Sequence, residues 1–485
     1  MTAKLLLALF CATLSAAHLK VTSGLTDHQV FQRDASGRAV IRLSGEVSGG
    51  SGSVEARVVR GPLAVSGQDW RSIGTGSGAQ WRGEIADVPT GGPYRIDLRV
   101  AGDADHISIH DVLVGDLWVL AGQSNMQGVG DLADVEPPHA LVHNFDMAHQ
   151  WLVAEEPLHT LASARNPVHW PRTAGKPERY EGDRLRKFLA DRRKGAGLGL
   201  TFAAEMVQRT GVPVGLLACA HGGTSMDQWD PALKDKAGES LYGSMMMRFR
   251  EAGGKVTGVL WYQGESDANP KAAPVFQEKF QRFVAAVRSD FGDANLPFYY
   301  VQIGRHVNRS NEAEWNHVQE GQRKAEADLG RAAVVAAVDT ELDDGIHVGT
   351  QDLKRLGRRF ANIACHDLFP GAAGCGQYKR GPRPASAAFH NGVVRVSFNE
   401  VNGRLVSRGP VSGFTIHGAD GAPLPLIYKA RVDAANPSSI LLSIGGKLPE
   451  GATLRYGFGK DPYANVRDQA DMALPVFGPM QIQSQ

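Results

Sequence analysis

Between Val112 and about Pro370, runs of almost unbroken apolar residues alternate with helical patterns. The strand-like runs are Val112–Leu120, Val212–Cys219, Val256–Tyr262, Phe298–Ile303 and Val334–Val338. A strand that is apolar on both faces must be covered on both. Such strands, separated by helices, imply a parallel sheet. The spacing between them is helical: Phe276, Phe280, Phe283, Val284 and Val287 fall on one face. The expected fold class is therefore α/β with a parallel sheet.

On either side the rhythm changes to that of antiparallel strands. Ala39–Leu43, Val54–Val59 and Tyr94–Val100 alternate or nearly alternate, separated by Gly/Ser-rich stretches such as Gly45–Gly52. After Gly371, strands are expected at Val393–Phe398, Gly413–His417, Ile440–Ile444 and Leu454–Phe458. This divides the chain into an N-terminal β-sandwich module, 18–111, an α/β domain, 112–370, and a C-terminal β module, 371–485. Residues 131–195, with Pro137-Pro138, Trp151, Trp170-Pro171 and the charged run Arg184–Lys194, read as a long loop insertion. The charged run reads as a solvated helix face, with a substrate-facing rim as the alternative.

A chain of 485 residues needs more than one core. A net charge of +1 lacks the basic excess of a nucleic-acid binder. At the N-terminus, Lys4, the apolar run Leu5–Leu14 and Ser15-Ala16-Ala17 read as a secretory signal, residues 1–17, with a buried strand as the alternative. The run is too short to span a bilayer, so an exported protein, periplasmic or secreted, with no membrane span is expected. Cys11 leaves with the signal, Cys219 reads as core, and an oxidising compartment would permit a Cys365–Cys375 bridge. Spacing alone does not establish that bridge. No Cys/His cluster has metal-ligand spacing.

Ligands of open α/β sheets bind beyond the carboxyl ends of the strands, so the residues following each apolar run carry the chemistry. The first run ends at Gly122-Gln-Ser-Asn-Met126, and Ser124 is the candidate nucleophile. A serine needs a base within hydrogen-bond reach. The last run is followed by Asp343-Asp-Gly-Ile-His347, where Asp344 and His347 are three residues apart and can face each other on one turn. Asp344 would fix the imidazole tautomer and His347 would take the serine proton, so activity is expected to fall as His347 protonates. A plain surface Asp-His turn is the alternative. Oxyanion donors are expected from the intervening strand ends. They are the N–H of Ser124, that of Gly222 or Gly223 in His221-Gly-Gly-Thr-Ser225, and the side chain of Gln263 in Trp261-Tyr-Gln-Gly-Glu-Ser-Asp267. Gln123, Asn125, Glu265 and Trp229 are further candidates for contact with substrate. Trp151, Trp170 and Trp229 are candidates for stacking on a flat face of the substrate, with core packing as the competing role.

These blocks, Gly122-Gln-Ser-Asn-Met126, Gly222-Gly-Thr-Ser225 with Trp229 after it, Trp261-Tyr-Gln-Gly-Glu-Ser266 and Asp344-Gly-Ile-His347, stand in the order of the SGNH-hydrolase superfamily. They resemble its sialate O-acetylesterase branch and the related carbohydrate acetylesterases. Leu25–Arg33 resembles the opening β module of those esterases, and Leu454–Phe458 with Pro462–Asn465 their closing module. The resemblance implies a flavodoxin-like core, a Ser124–His347–Asp344 triad and removal of O-acetyl groups from a sugar or glycan through an acetyl-enzyme. No metal or other cofactor is implied. The superfamily's usual third-block Asn is Gln263 here, as is typical of this branch. An acetylesterase of xylan or xyloglucan shares the same chemistry. A non-catalytic carbohydrate-binding protein is the alternative of another class. The sequence leaves the glycan, the acetyl position and the oligomeric state open.

Overall fold

In the computed structural model, every residue of the four strands Val214–Ala218, Gly258–Tyr262, Phe298–Gln302 and Ala332–Ala336 is buried. Alternate residues of a strand face opposite sides, so this sheet is covered on both faces, as near-continuous apolar runs require. The structure describes residues 18–48, 52–77, 80–173, 175–307 and 312–484; the expected signal, 1–17, lies outside them.

The chain forms two compact units, Met1–Val114 and Gly115–Gln485. In the first, antiparallel strands run in the order His18–Ser23, Arg38–Ser48, Gln80–Pro89, Arg71–Ser77, Ser53–Arg60 and Gly91–Val100, and Gly91–Val100 pairs with the residues from Ile107 onward. Their inward residues, among them Ile41, Val58, Trp81, Ile85 and Ile96, form one hydrophobic cluster.

The second unit holds the parallel sheet. Its strands are β1 (Ile107–Gly122, the last part of which lies here), β2 (Val142–Phe145), β3 (Trp151–Val153), β4 (Val214–Ala218), β5 (Gly258–Tyr262), β6 (Phe298–Gln302) and β7 (Ala332–Ala336). The order across the sheet is β3-β2-β4-β1-β5-β6-β7, parallel throughout except for the edge strand β3. β1 is thus flanked by β4 on one side and β5 on the other. The chain's winding reverses there and a crevice opens at the strand ends.

Two helix pairs pack on this sheet: α3 (Gly199–Thr210) with α7 (Thr350–Leu368), and α5 (Phe276–Asp290) with α6 (Glu312–Leu329). On α5 the buried side chains are Phe276, Phe280, Phe283, Val284 and Val287, the set with apolar spacing in the sequence.

The segment that reads as a loop insertion corrects that expectation. It supplies β2, which is hydrogen-bonded to β4, and the edge strand β3. Its charged run lies largely on helix α2 (Gly182–Asp191), which has no buried residue.

Residues 383–484 of the same unit form an eight-stranded sheet, antiparallel except where Arg383–His390 pairs with Phe477–Ser484. It encloses its own apolar cluster. Buried polar groups tie this module to the parallel sheet. Gln302 at the end of β6 exchanges two hydrogen bonds with the backbone of Val476, 2.8–2.9 Å. Arg359, 1% exposed, donates to both Asp339 oxygens and to the carbonyl of Asp471. An arginine so enclosed is tolerated because its donors are matched. The clamp fixes the chain just after β7, where the histidine loop begins. Cys365 and Cys375 are bridged, with ten residues of separation, and Cys219 is free and buried. No helix among the described residues is long and apolar enough to cross a membrane.

Candidate active site at the strand ends

β1 ends at Gly122, and one turn of helix, α1 (Ser124–Gln127), follows immediately. Gly122 has φ +133°, and a Cβ there would lie 2.2 Å from the carbonyl oxygen of Tyr262 on β5. The absence of a side chain lets the two strand ends close, and the N–H of Gln123 bonds Tyr262 at 2.8 Å. This contact sets where Ser124 sits.

After β7, the chain turns at Asp344–His347 before entering α7. The hydroxyl of Ser124 donates to His347 Nε2 at 3.1 Å, and His347 Nδ1–H donates to Asp344 Oδ2 at 2.7 Å. The other carboxylate oxygen accepts the N–H groups of Ile346 and His347 at 2.9 and 2.8 Å. Burial works to raise the Asp344 carboxyl, but the imidazole and the two backbone donors outweigh it and hold it at about 2. The ionised carboxylate fixes the proton of neutral His347 on Nδ1, leaving Nε2 to accept from Ser124.

Asn125, 1% exposed, joins the two halves. Its Oδ1 accepts the N–H of Val348 at 3.0 Å, and its Nδ2 donates to Glu265 at 2.9 Å. Gln123, 3% exposed, accepts the N–H of Ser266. Gln123, Asn125 and Glu265, expected to touch substrate, are thus mainly ties between the Ser124 turn, the end of β5 and the histidine loop. Burial pushes the Glu265 carboxyl up, and its second oxygen has no partner among the described residues. Asn125→Ala would strand the Val348 N–H and remove the donor to Glu265. Each stranded buried group costs about 1–3 kcal/mol, so a loss of about 2–4 kcal/mol is expected in denaturant unfolding. In steady-state kinetics kcat should fall more than KM rises, as His347 loses its register.

Two expectations are corrected by the geometry. Gln263 is fully buried, and its amide donates to the carbonyl of Thr224 and to Asp267 Oδ2. Both N–H groups are thereby committed, and the side chain has none to offer an oxyanion. Trp229 is fully buried against Trp261 and Phe283, with its indole N–H on Thr224 Oγ1, so it is core and not a sugar platform. Trp151 is also buried at 7% exposure; Trp170 is only partly buried and lines a cavity.

The glycine pair behaves asymmetrically. Gly222 lies against Ser124, its Cβ position 3.3 Å from the serine Cβ, and its N–H donates to Gln127 Oε1 at 2.8 Å. Gly223, with φ +70°, has open space around it. Neither Ser124 nor Gly223 donates its N–H to an acceptor among the described residues. Gln127 had no assigned role in the sequence. The available signal was its position on the same turn as Ser124, three residues on, where side chains share a face.

Beside α1 opens a cavity of about 840 Å³, lined by Gln127, His221 and Thr224 on the side of the site and by Trp170, Arg172 and Phe188 from the 131–195 segment. That size suits a sugar-sized ligand.

A family model described as carbohydrate esterase, sialic acid-specific acetylesterase, matches residues 114–366. An Arabidopsis thaliana protein named a probable carbohydrate esterase is 29% identical over 223 residues, which cover 41% of this chain and 74% of its own. The sialate O-acetylesterase of Homo sapiens is 23% identical over 261 residues, 48% of each chain. Among solved structures, a carbohydrate acetylesterase from Xanthomonas citri matches with a TM-score of 0.64 at 23% identity, covering 95% of this chain and 99% of that one. That last likeness establishes a shared α/β fold with additional β modules.

Proposed function

Because the chain belongs to the carbohydrate esterase family of the sialic acid-specific acetylesterases, we propose that it is a serine esterase that removes O-acetyl groups from an acidic sugar through an acetyl-enzyme. The observation that carries this reading is the unbroken chain of contacts from Ser124 through His347 to Asp344. The strand order supports the flavodoxin-like description: β1, β4, β5, β6 and β7 stand as 2-1-3-4-5 when numbered along the chain, with β2 and β3 added at one edge.

Ser124 Oγ attacks the acetyl carbonyl while His347 Nε2 takes its proton. The oxygen of the tetrahedral adduct is met by the N–H groups of Ser124 and of Gly222 or Gly223; to use Gly222 it displaces Gln127 Oε1. Collapse expels the sugar oxygen, which leaves with the proton from His347. Water then attacks the acetyl-serine, again giving its proton to His347, and acetate departs as Ser124 regains its hydrogen. Asp344 stabilises the imidazolium in both halves.

The cavity supports an acidic sugar: Arg172, Arg192 and Lys236 line it against the single carboxylate of Glu239. Acetate release from O-acetyl sialic acid is expected to exceed that from acetylated xylan. Faster release from xylan would overturn the choice of sugar, and no release from either would overturn the esterase reading. Export is part of the proposal, supported by the leader-like residues 1–17 and by the Cys365–Cys375 bridge, since disulfides persist in oxidising compartments.

The pH dependence follows from the same contacts. On acidification His347 takes up a proton and can no longer accept one from Ser124, so kcat/KM falls. Asp344, held at about 2, stays charged through this range, so above about pH 4, where His221 beside the cavity is still neutral, the acid limb should have the slope of one proton. A limb of slope two, or a rate flat across the acid range, would count against a single histidine base.

A further inference from the structure

His221 precedes the glycine pair and lines the cavity, yet it belongs to none of the contacts above. Behind it lies a buried polar chain. Arg248 is fully buried on α4 (Leu241–Glu251). It donates from Nη1 to Ser244 Oγ at 2.6 Å and stands 3.4 Å from His169 Nε2. Ser244 Oγ also accepts from Asn166 Nδ2 at 2.8 Å. With two donors already on its oxygen, the serine spends its own proton on His169 Nε2, 3.0 Å away. An arginine can only donate, so Nε2 of His169 accepts from both neighbours and the imidazole proton sits on Nδ1. That Nδ1–H faces His221 Nδ1 at 3.1 Å, with the ring planes 27° apart. His221 Nδ1 must therefore accept, which leaves its proton on Nε2. This Nε2 has no protein partner among the described residues, and the ring lines the cavity.

We propose that His221 is a substrate-binding residue, locked as an Nε2–H donor by the Arg248–Ser244–His169 chain, that hydrogen-bonds an acceptor oxygen on the sugar portion of the substrate. His169 is a positioning residue that acts through it. Burial lowers His221 to about 4 and His169 well below the ordinary imidazole value, so both rings are neutral where the enzyme would work and the relay keeps its direction. A neutral donor suits a hydroxyl, amide carbonyl or carboxylate oxygen, whereas a freely flipping imidazole would present donor and acceptor alternately. The assignment to a sugar oxygen rests on the cavity being the acetylated-sugar site; the tautomer does not.

The experiment has two readouts. In nitrogen-15 NMR of the full chain, the His221 Nε2 resonance should be that of a protonated, pyrrole-type nitrogen and Nδ1 that of an unprotonated one. His169→Phe should let both forms appear. The reverse assignment in the wild type would overturn the relay, whether or not the protein hydrolyses esters. In kinetics, His221→Ala should raise KM for O-acetyl sialic acid about five- to tenfold more than for p-nitrophenyl acetate, the worth of one neutral hydrogen bond. The change in kcat should be smaller, and His221→Gln, which restores an Nε2 donor, should recover part of the loss. An equal effect on both esters, or a loss confined to kcat, would overturn the binding role.

Discussion

Alanine at position 124 is expected to cut esterase kcat by about 10,000-fold or more, as losing the nucleophile of such a triad does elsewhere. The residue exchanges only a hydroxyl, whose recorded side-chain contact is His347 Nε2. The fold should therefore be kept, with stability within about 0.5 kcal/mol of the parent. A fluorophosphonate probe should label the parent and not the variant. Activity that survives the substitution would remove Ser124 from the reaction, and lost activity accompanied by a large fall in melting temperature would make the result uninformative about chemistry. His347→Ala then provides the matched comparison. If the two residues act as one unit, the double variant should be scarcely worse than either single one.

The second large effect is on stability. Gly122→Ala would place a methyl group 2.2 Å from the oxygen, 2.7 Å from the carbon and 2.9 Å from the nitrogen of the Tyr262 backbone, at φ +133°. These are main-chain atoms held in the sheet, with no rotamer to swing aside. A loss of more than about 3 kcal/mol is expected in denaturant unfolding, from strain and separation of the strand ends together. Gly211 is the control. It closes α3 with φ +70° and nothing within 4 Å of its Cβ position, so alanine there should cost only about 1–2 kcal/mol. A Gly122 variant no less stable than the Gly211 variant would show that the contact between β1 and β5 relaxes.

The parts of the molecule that were readable in the sequence are those governed by local pattern. The strands of the parallel sheet are buried on both faces, so five of them survive as almost unbroken apolar runs, and the polar blocks that follow those runs mark the strand ends. The helical face from Phe276 to Val287 obeys the same logic. β2 was hidden because two of its four residues, His143 and Asn144, are polar although buried; Asn144 is accommodated by donating to the carbonyl of Leu158. Such a strand has no hydrophobic signature. Side-chain direction was the other limit. Gln263 occupies the strand-end position that an oxyanion donor would need, but Asp267, four residues on, offers a carboxylate that draws its amide inward. Trp229 follows a glycine-rich block as a sugar-stacking residue would, and only the nearby Trp261 and Phe283 show it to be core. His221 was in plain view at the head of the second block. What its ring does depends on Arg248 and Ser244, which no spacing in the chain connects to it.

The contact between Ser124 and His347 spans 223 positions of the chain. During synthesis the hydroxyl leaves the ribosome long before the imidazole it bonds exists. Until the loop after β7 has docked, Ser124 lacks its contact with His347, and on the proposed mechanism it is inert toward any ester it meets. On the proposed mechanism, ester cleavage can therefore begin only once the second unit has been made and folded through the loop after β7.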